Sequence, residues 1–449
     1  MKRWSKKPKI ELPDCILSNI FSRLGLKDLV KTRILSKQWL QEWGLRTNLN
    51  FDVHNMFELD YNTIQESKES RQLFEGFQSE FATRLNQFML HYQGAMIRSI
   101  RVNFPLGTKH KDAIDRMISK GIAKGAERIE LLFSSETIDP IPNLDRKESY
   151  KFSFTLLSNT DCLTYLHLQN CHLVAPMDFS GFKNLRTLVL QLVDVEQNLL
   201  QGLFSNCNHL VDLTLDNCDF KSDLKITSPT LLHLNIVNCG KFGMVRNIDI
   251  IASNLSSIEY SFNCTYPLHL MKIKAHMLSK FSFRGSNISI HIGGQYHNCF
   301  EFSELKNVTT IVLDGIRDFC FQRVVMPLLF SECLQLEDVT FKNCKQINAM
   351  NIISPKLLHL KIIDCEYNNL YYQPLDIHAL NLSSFEYSST TRGDISVTAP
   401  SLLKVFWNAA KRENNPRPFG PIARLGHIEN LSMIISTSQV SNSKTIFAL

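Results

Sequence analysis

Cysteine and histidine are the residues of this chain best suited to chemistry, with 12 and 14 copies respectively. A cysteine metal centre needs close pairs of the C-x-x-C kind, and the sequence contains none. There is no G-x-S-x-G elbow, no H-E-x-x-H and no glycine-rich phosphate loop, and Gly293-Gly294-Gln295 reads as a turn. Neither a catalytic centre nor a cofactor is expected. Five cysteines instead recur at one place: Cys171, Cys218, Cys239, Cys344 and Cys365 each close a nine-residue phrase that opens on leucine, as in LLHLNIVNC from Leu231 and LLHLKIIDC from Leu357. A small polar group there reaches loop backbone atoms that would otherwise be buried unpaired.

The remaining chemistry is recognition, carried by the third, fifth and seventh places of that phrase. They supply Asp212, Asp216, Glu259, Asp314, Asp338 and Glu386, against Lys280, Arg284, Lys342, Lys361 and Lys404. Acids and bases balance, which leaves no strong field for nucleic acid or a polyphosphate. Candidate substrate contacts are Tyr165, His167, His233, Lys280, Arg284, Lys342, His359, Lys361 and Phe406, although any one of them could be a plain solvated sheet residue.

These side chains need an element to hold them. The template L-x-x-L-x-L-x-x-C/N opens at Leu163, Leu185, Leu210, Leu231, Leu255 and Leu278, then at Val308, Leu336, Leu357, Leu382, Leu402 and Ile428. Weaker copies start at Ile97 and Ala126. Side chains alternate along a strand, so the fourth and sixth places point together into a core while the third, fifth and seventh face solvent. One such rung cannot bury its own apolar edge, and stacked rungs share a continuous core. SPTLLHLNIVNC from Ser228 returns as SPKLLHLKIIDC from Ser354, 126 residues later, and LFSNCNHLVDLTLDNC from Leu203 returns as LFSECLQLEDVTFKNC from Leu329. A block of several rungs has been copied whole. The pattern resembles the leucine-rich repeats, which implies an α/β solenoid, a horseshoe with a parallel sheet on its concave face, of about 14 repeats over residues 95–449.

The first fifty residues lack such rungs. Leu12-Pro13-Asp14 reads as a helix start, and Ile16, Leu17, Ile20, Phe21 and Leu24 form an apolar stripe ending at Gly25. Leu29, Val30 and Ile34 suggest a second helix, and Ser36 can cap a third with Trp39, Leu40 and Trp43. Three short helices are too small to bury this much apolar surface alone, so they either cap the solenoid or dock on a partner.

Leu12-Pro13-Asp14, Ile16-Leu17, Lys27-Asp28-Leu29-Val30 and Leu35-Ser36-Lys37-Gln38-Trp39 resemble the F-box, with Gly25 where the family usually has proline and Gln38 where it is usually basic. FATRLNQFMLHYQGAMIRSIRVNF, IDRMISKGIAKGAERIELLF and GFKNLRTLVL are further signposts, in order, of plant F-box/leucine-rich-repeat proteins. The resemblance implies a small three-helix F-box over 10–51, after a basic tail at 1–9 and before a helical linker or cap at 52–94. It also implies docking on a Skp-type adaptor, and through it on cullin and RING subunits, while the repeats hold a protein substrate for ubiquitination. The docking residues it implies are Leu12, Pro13, Ile16, Leu17, Ile20, Leu29, Val30, Leu35 and Trp39, of which Ile20 and Trp39 could equally be internal core. A non-ligase scaffold with a degenerate F-box, and a small-molecule co-receptor of the same architecture, remain as alternatives.

Composition agrees with a globular chain: 44% hydrophobic, 20% charged, and a formal charge of +6. Neither a secretory leader nor a membrane span is read from the sequence, so nucleus and/or cytoplasm is the expected location and thiols are expected to be reduced. The N-x-S/T triplets at Asn254, Asn263, Asn287, Asn307, Asn381 and Asn430 are then not glycosylation sites. Repeat arrays need capped ends, and an imperfectly covered apolar edge is expected at the Ile428 rung.

Overall fold

The structure is a computed structural model. It describes residues 13, 16, 19–20, 23–24, 28, 46–57, 71–133, 148–157, 161–174, 182–239, 247–262, 270–285, 300–301, 305–316, 330–345, 351–366, 375–389, 395–409 and 428–434. The chain divides into two units, Met1–Asp194 with Asn206–His209 and Val195–Ser205 with Leu210–Leu449.

In the first unit the strands Asn48–Asp52, Ser99–Asn103, Arg128–Leu132, Tyr165–Gln169 and Thr187–Gln191 pair in parallel in that order. The weaker copies at Ile97 and Ala126 therefore do carry strands. The parallel sheet begins at Asn48, inside the stretch assigned from sequence to the F-box and the helical linker and well before residue 95. Leu49 and Phe51 are buried in alternation, which is what a two-residue period asks of one strand, but the leucine template is absent and hid it. The Arg71–His91 helix covers this end: Phe81 stacks on Phe104 at 4.4 Å and Phe88 meets Phe51 edge-on at 5.2 Å. The Lys111–Ala123 helix buries Ile114, Met117 and Ile118. Gly121 lets it approach closely, because a Cβ there would lie 2.3 Å from Ile100 Cδ1.

In the second unit ten strands pair in parallel, all in the template's register: Asp212–Asp216, His233–Val237, Ser257–Phe262, Lys280–Gly285, Thr310–Asp314, Asp338–Lys342, His359–Cys365, Ser384–Ser389, Lys404–Ala409 and Asn430–Ile434. Leu213, Leu215, Leu234, Ile236, Phe281 and Phe283 show the rule: fourth and sixth places are buried. At roughly 2 kcal/mol per large apolar side chain, this stack of rungs is the main source of stability.

A second row of strands was not read from the sequence. Leu224–Thr227, Asn247–Ile251 and Leu270–Lys274 pair in parallel, as do Asn351–Ile353, Leu375–His378 and Ile395–Thr398. Between this row and the main sheet the chain turns on a buried small residue three places before the template leucine: Ser228, Ala252, Ala275, Cys333, Ser354, Ala379 and Ala399. The duplicated Ser-Pro of the opening phrase belongs to this column.

Two further columns explain the template's tail. The eighth residue adopts a left-handed backbone at Asn170, Leu192, Asn217, Asn238, Asn343 and Asp364, with φ between 50 and 54, and at Gly315 with φ 74. That turn aims its N–H at the next strand, as in Asn217 to Val237 O at 2.8 Å and Asn343 to Ile363 O at 2.9 Å. Asn, Asp and Gly tolerate the conformation; Leu192 is the strained exception. The ninth residue then points its thiol at the carbonyl two residues back: Cys171 to Gln169, Cys218 to Asp216, Cys239 to Val237, Cys344 to Lys342 and Cys365 to Ile363, at 3.3–3.6 Å.

The N-x-S/T triplets have a structural reason as well. Asn254, Asn307 and Asn381 donate their amides to Pro229 O, His276 O and Pro355 O at 2.6–2.7 Å. Two residues on, Ser256, Thr309 and Ser383 donate their hydroxyls to Leu232 O, Ser279 O and Leu358 O. These are rung-to-rung ties. At the far end Leu431 pairs in register with buried Val405 yet is 47% exposed.

Candidate functional site

The N-terminal helical segment supplies one surface. Pro13 and Ile16 are exposed, Ile16 to 46%, and Ile20 is half-buried. Ile16 N donates to Pro13 O at 2.9 Å, and Ile16, Asn19, Ile20 and Arg23 are each helical. Ile16 and Ile20 are four residues apart and share a face. Arg46 Nη1 donates to Leu24 O at 2.9 Å, tying the segment to the residues that lead into the first strand. Leu12, Leu17, Leu29, Val30, Leu35 and Trp39 lie outside the described residues.

The solvent side of the sheet supplies the second surface. In the first unit Arg128 lies over the Tyr165 ring at 3.4 Å and pairs with Glu130 at 2.5 Å. Tyr165 and His167 are both half-buried. Burial raises the Tyr165 phenol against the pull of Arg128, so this side chain serves as a neutral platform and not as an acid.

In the second unit His233, Lys280, Arg284, Lys342, His359 and Lys361 are exposed, and Phe406 is half-buried. Several already have partners. Arg284 Nε sits 3.0 Å from Asp314 Oδ2, and Lys361 Nζ 3.0 Å from Glu386 Oε2. His233 Nδ1 lies 2.8 Å from Ser257 Oγ, and its Nε2 4.0 Å from Asp212 Oδ1. Lys280, Lys342 and Lys404 are exposed and have no carboxylate at ion-pair distance among the described residues. Not all seventh places face solvent as expected: Gln169, Ser261, Ser388 and Leu132 are buried there.

The arrangement suits binding. Three buried thiols are sequestered: burial pushes Cys171 and Cys207 up, and Cys333 up to about 12. Cys365 is held up by its hydrogen bond with Cys344 and by burial. Among the described residues no group of three His, Cys, Asp or Glu side chains is placed to hold a metal ion, and no helix is long and apolar enough to cross a membrane.

Comparison with known proteins gives two family matches: the F-box domain over residues 10–44, and the LRR domain described for At1g61320/AtMIF1 over residues 89–294. A putative F-box/LRR-repeat protein of Arabidopsis thaliana, At3g44810, is 27% identical over 67% of this chain and 62% of its own length. An Arabidopsis F-box/FBD/LRR-repeat protein, At1g13570, is 26% identical over 50% of this chain and 47% of its own. The chain thus spans about half to three-fifths of the length of these relatives. Among solved structures, a Leptospira interrogans LRR protein matches 75% of this chain and 94% of its own at 14% identity, with a TM-score of 0.23.

Proposed function

The chain joins an F-box to leucine-rich repeats, on the plan of the plant F-box/LRR-repeat proteins it is similar to, and from that premise we propose that it is the substrate-recognition subunit of an SCF-type cullin–RING ubiquitin ligase. The F-box docks on a Skp-type adaptor, and the adaptor connects it to cullin and RING subunits. The sheet face holds a protein substrate, in the nucleus or cytoplasm. Such a subunit performs no chemistry. Its contribution is proximity, since a tethered substrate meets the ubiquitin-loaded enzyme at a raised effective concentration.

The observation that supports this reading is the apolar turn at Pro13 and Ile16, exposed on the helix of the F-box segment directly ahead of the repeat sheet. Pro13 and Ile16 lie within the segment matched by the F-box domain, and a partner helix would cover them there. The test is co-purification of the full chain with a recombinant Skp-type adaptor. Pro13→Ala combined with Ile16→Asp is expected to weaken binding at least about thirtyfold, the scale of a hot-spot loss. The urea midpoint should stay unchanged. Undiminished adaptor binding by the double variant would contradict the docking role.

A further inference from the structure

The rungs from Leu210, Leu231, Leu255 and Leu278 return as those from Leu336, Leu357, Leu382 and Leu402, so the second unit holds its own comparison of what the sheet requires on its open side. Four outward residues differ in kind between the two blocks. Asp216 stands where the second block has Lys342, Asn235 where it has Lys361, Ser282 where it has Phe406 and Arg284 where it has Asn408. The first block sets Asp212, Asp216 and Glu259 against Lys280 and Arg284; the second sets Asp338 and Glu386 against Lys342, Lys361 and Lys404. One acid in excess has become one base in excess, and an aromatic ring has been added to the same face.

Phe406 is the only Phe, Tyr or Trp at a third, fifth or seventh place of either block. Its chain neighbours Val405 and Trp407 are buried on the core side, where Trp407 stacks on Tyr387 at 4.4 Å. Phe406 itself points to the opposite face and is half-buried there. The first block builds the equivalent strand with Ser282 between buried Phe281 and Phe283, so the sheet does not require a ring at this place. Register defines the surroundings of the ring. Glu386 and Ser432 are its partners on the two flanking strands, and Asn408 faces Ile434. Glu386 is already neutralised, with Lys361 Nζ 3.0 Å from its Oε2. Ile434, diagonal to Phe406 on the last strand, is 56% exposed. Lys404, two residues before Phe406 on the same face, is exposed and has no carboxylate at ion-pair distance among the described residues.

We propose that Phe406, Ile434 and Lys404 form the anchor site of the sheet face, and that its occupant is an acidic protein segment holding one large apolar side chain beside an aspartate or glutamate. This rests on the reading of the sheet face as the substrate holder and names the class of substrate. The apolar side chain packs on the Phe406 ring and against Ile434, and the carboxylate meets Lys404. Lys342, exposed and likewise without a carboxylate at ion-pair distance among the described residues, adds to the field that favours an acidic segment. A ring covered on binding supplies affinity, while the unpaired lysines select the sign of charge. Lys404 and Phe406 stand about 7 Å apart along their strand, which places acid and anchor two residues apart in an extended segment.

The experiment selects a displayed library of random 16-residue peptides on the full chain, then measures the enriched peptides by fluorescence anisotropy. They should share a large apolar residue with an acid two places away. Phe406→Ser, the residue of the first block, should weaken them on the order of tenfold or more while the urea midpoint is kept. Lys404→Glu should weaken them on the order of tenfold, and a peptide with lysine replacing its acid should recover binding to that variant. Lys280→Glu, at the matching place of the first block where no ring stands beside it, should change binding less than about threefold. Failure to enrich any peptide, enrichment without the pair, undiminished binding by Phe406→Ser, or equal effects of the two lysine variants would overturn the proposal. So would a urea midpoint that falls as far in Phe406→Ser as in Val405→Ala, because the ring would then belong to the fold. Adaptor binding is measured on the same preparations. Its loss with peptide recognition intact removes the ligase reading and leaves the site standing, whereas the reverse removes the site alone.

Discussion

Asn343 tests the account of the repeat's turn by the sign of an effect and not only its size. Its φ is 51, its N–H donates to Ile363 O at 2.9 Å, and its amide donates to Asp314 Oδ1 at 3.0 Å. Asn343→Ala keeps the backbone donor but places an unassisted Cβ in the left-handed region, at roughly 1–2 kcal/mol. It also loses an exposed side-chain hydrogen bond worth about 0.5–1 kcal/mol. Together these give a loss of about 2 kcal/mol. Asn343→Gly loses the same bond and adds chain entropy to the unfolded state, about 1 kcal/mol in all, but pays no steric cost. Glycine should therefore be more stable than alanine here by about 1 kcal/mol, whereas at ordinary strand positions alanine wins by about that amount. Urea unfolding of the full chain followed by circular dichroism reads the difference, provided the slope is the same in both variants. If alanine matched or exceeded glycine, the left-handed turn could not be what selects Asn, Asp and Gly at the eighth place.

The alkaline limb of stability should be set by buried groups. Burial lifts Cys333 from 9.0 to about 12 and Tyr92 from 10.0 to about 12. The folded state then holds protons that the unfolded state releases, so their contribution is complete below about pH 9 and is lost as pH rises towards 12. The unfolding free energy should be level from pH 7 to about 8.5 and then fall, by up to about 1.4 kcal/mol per pH unit for Cys333 and less for Tyr92, and the urea midpoint should fall with it. Cys333→Ala should flatten the fall that begins near pH 9, and a midpoint unchanged at pH 10.5 would refute the assignment. Asn381 donates to Pro355 O at 2.7 Å, so Asn381→Asp should destabilise more than Asn381→Ala, by about 1 kcal/mol, because it sets an acceptor against an acceptor. Equal midpoints for the two would dismiss the rung-to-rung tie.

What could be read beforehand followed the period of the pattern. Leu231, Leu234 and Ile236 repeat their spacing in rung after rung, and all are buried, so the main strands and their inward faces were legible from Leu163 onwards. The Asn48–Asp52 strand was not, because it has alternation but no template leucine. Nor was the second row: LKIT, NIDII and ISVT are too short to separate from turn sequence by periodicity. The eighth place shows in sequence as the Asn before Cys, but its left-handed backbone is a property of the turn and not of the nine-residue template. In the candidate site, the spacing placed His233, His359 and the lysines correctly on the open side, yet it could not tell that Lys361 and Arg284 face carboxylates on the neighbouring strand. Pairing across strands depends on register, which a single rung does not contain.

Register also shows what a repeat must keep for its fold. Leucine at the first, fourth and sixth places is held by the core, the small residue three places earlier by the turn, and Asn254 and Asn381 by a neighbouring carbonyl. Each is tied to the rung beside it, and a copied block must preserve them to stack at all. The seventh place is not fixed in this way: Asp216 of one copy stands where the other has Lys342, with the sign of charge reversed. Lys280 and Lys404, at the third place, are the same in both copies. The residues in register behind Lys280 are tied within the sheet, since His233 Nδ1 lies 2.8 Å from Ser257 Oγ and its Nε2 4.0 Å from Asp212 Oδ1, and His359 and Ser384 stand at the same places in the second copy.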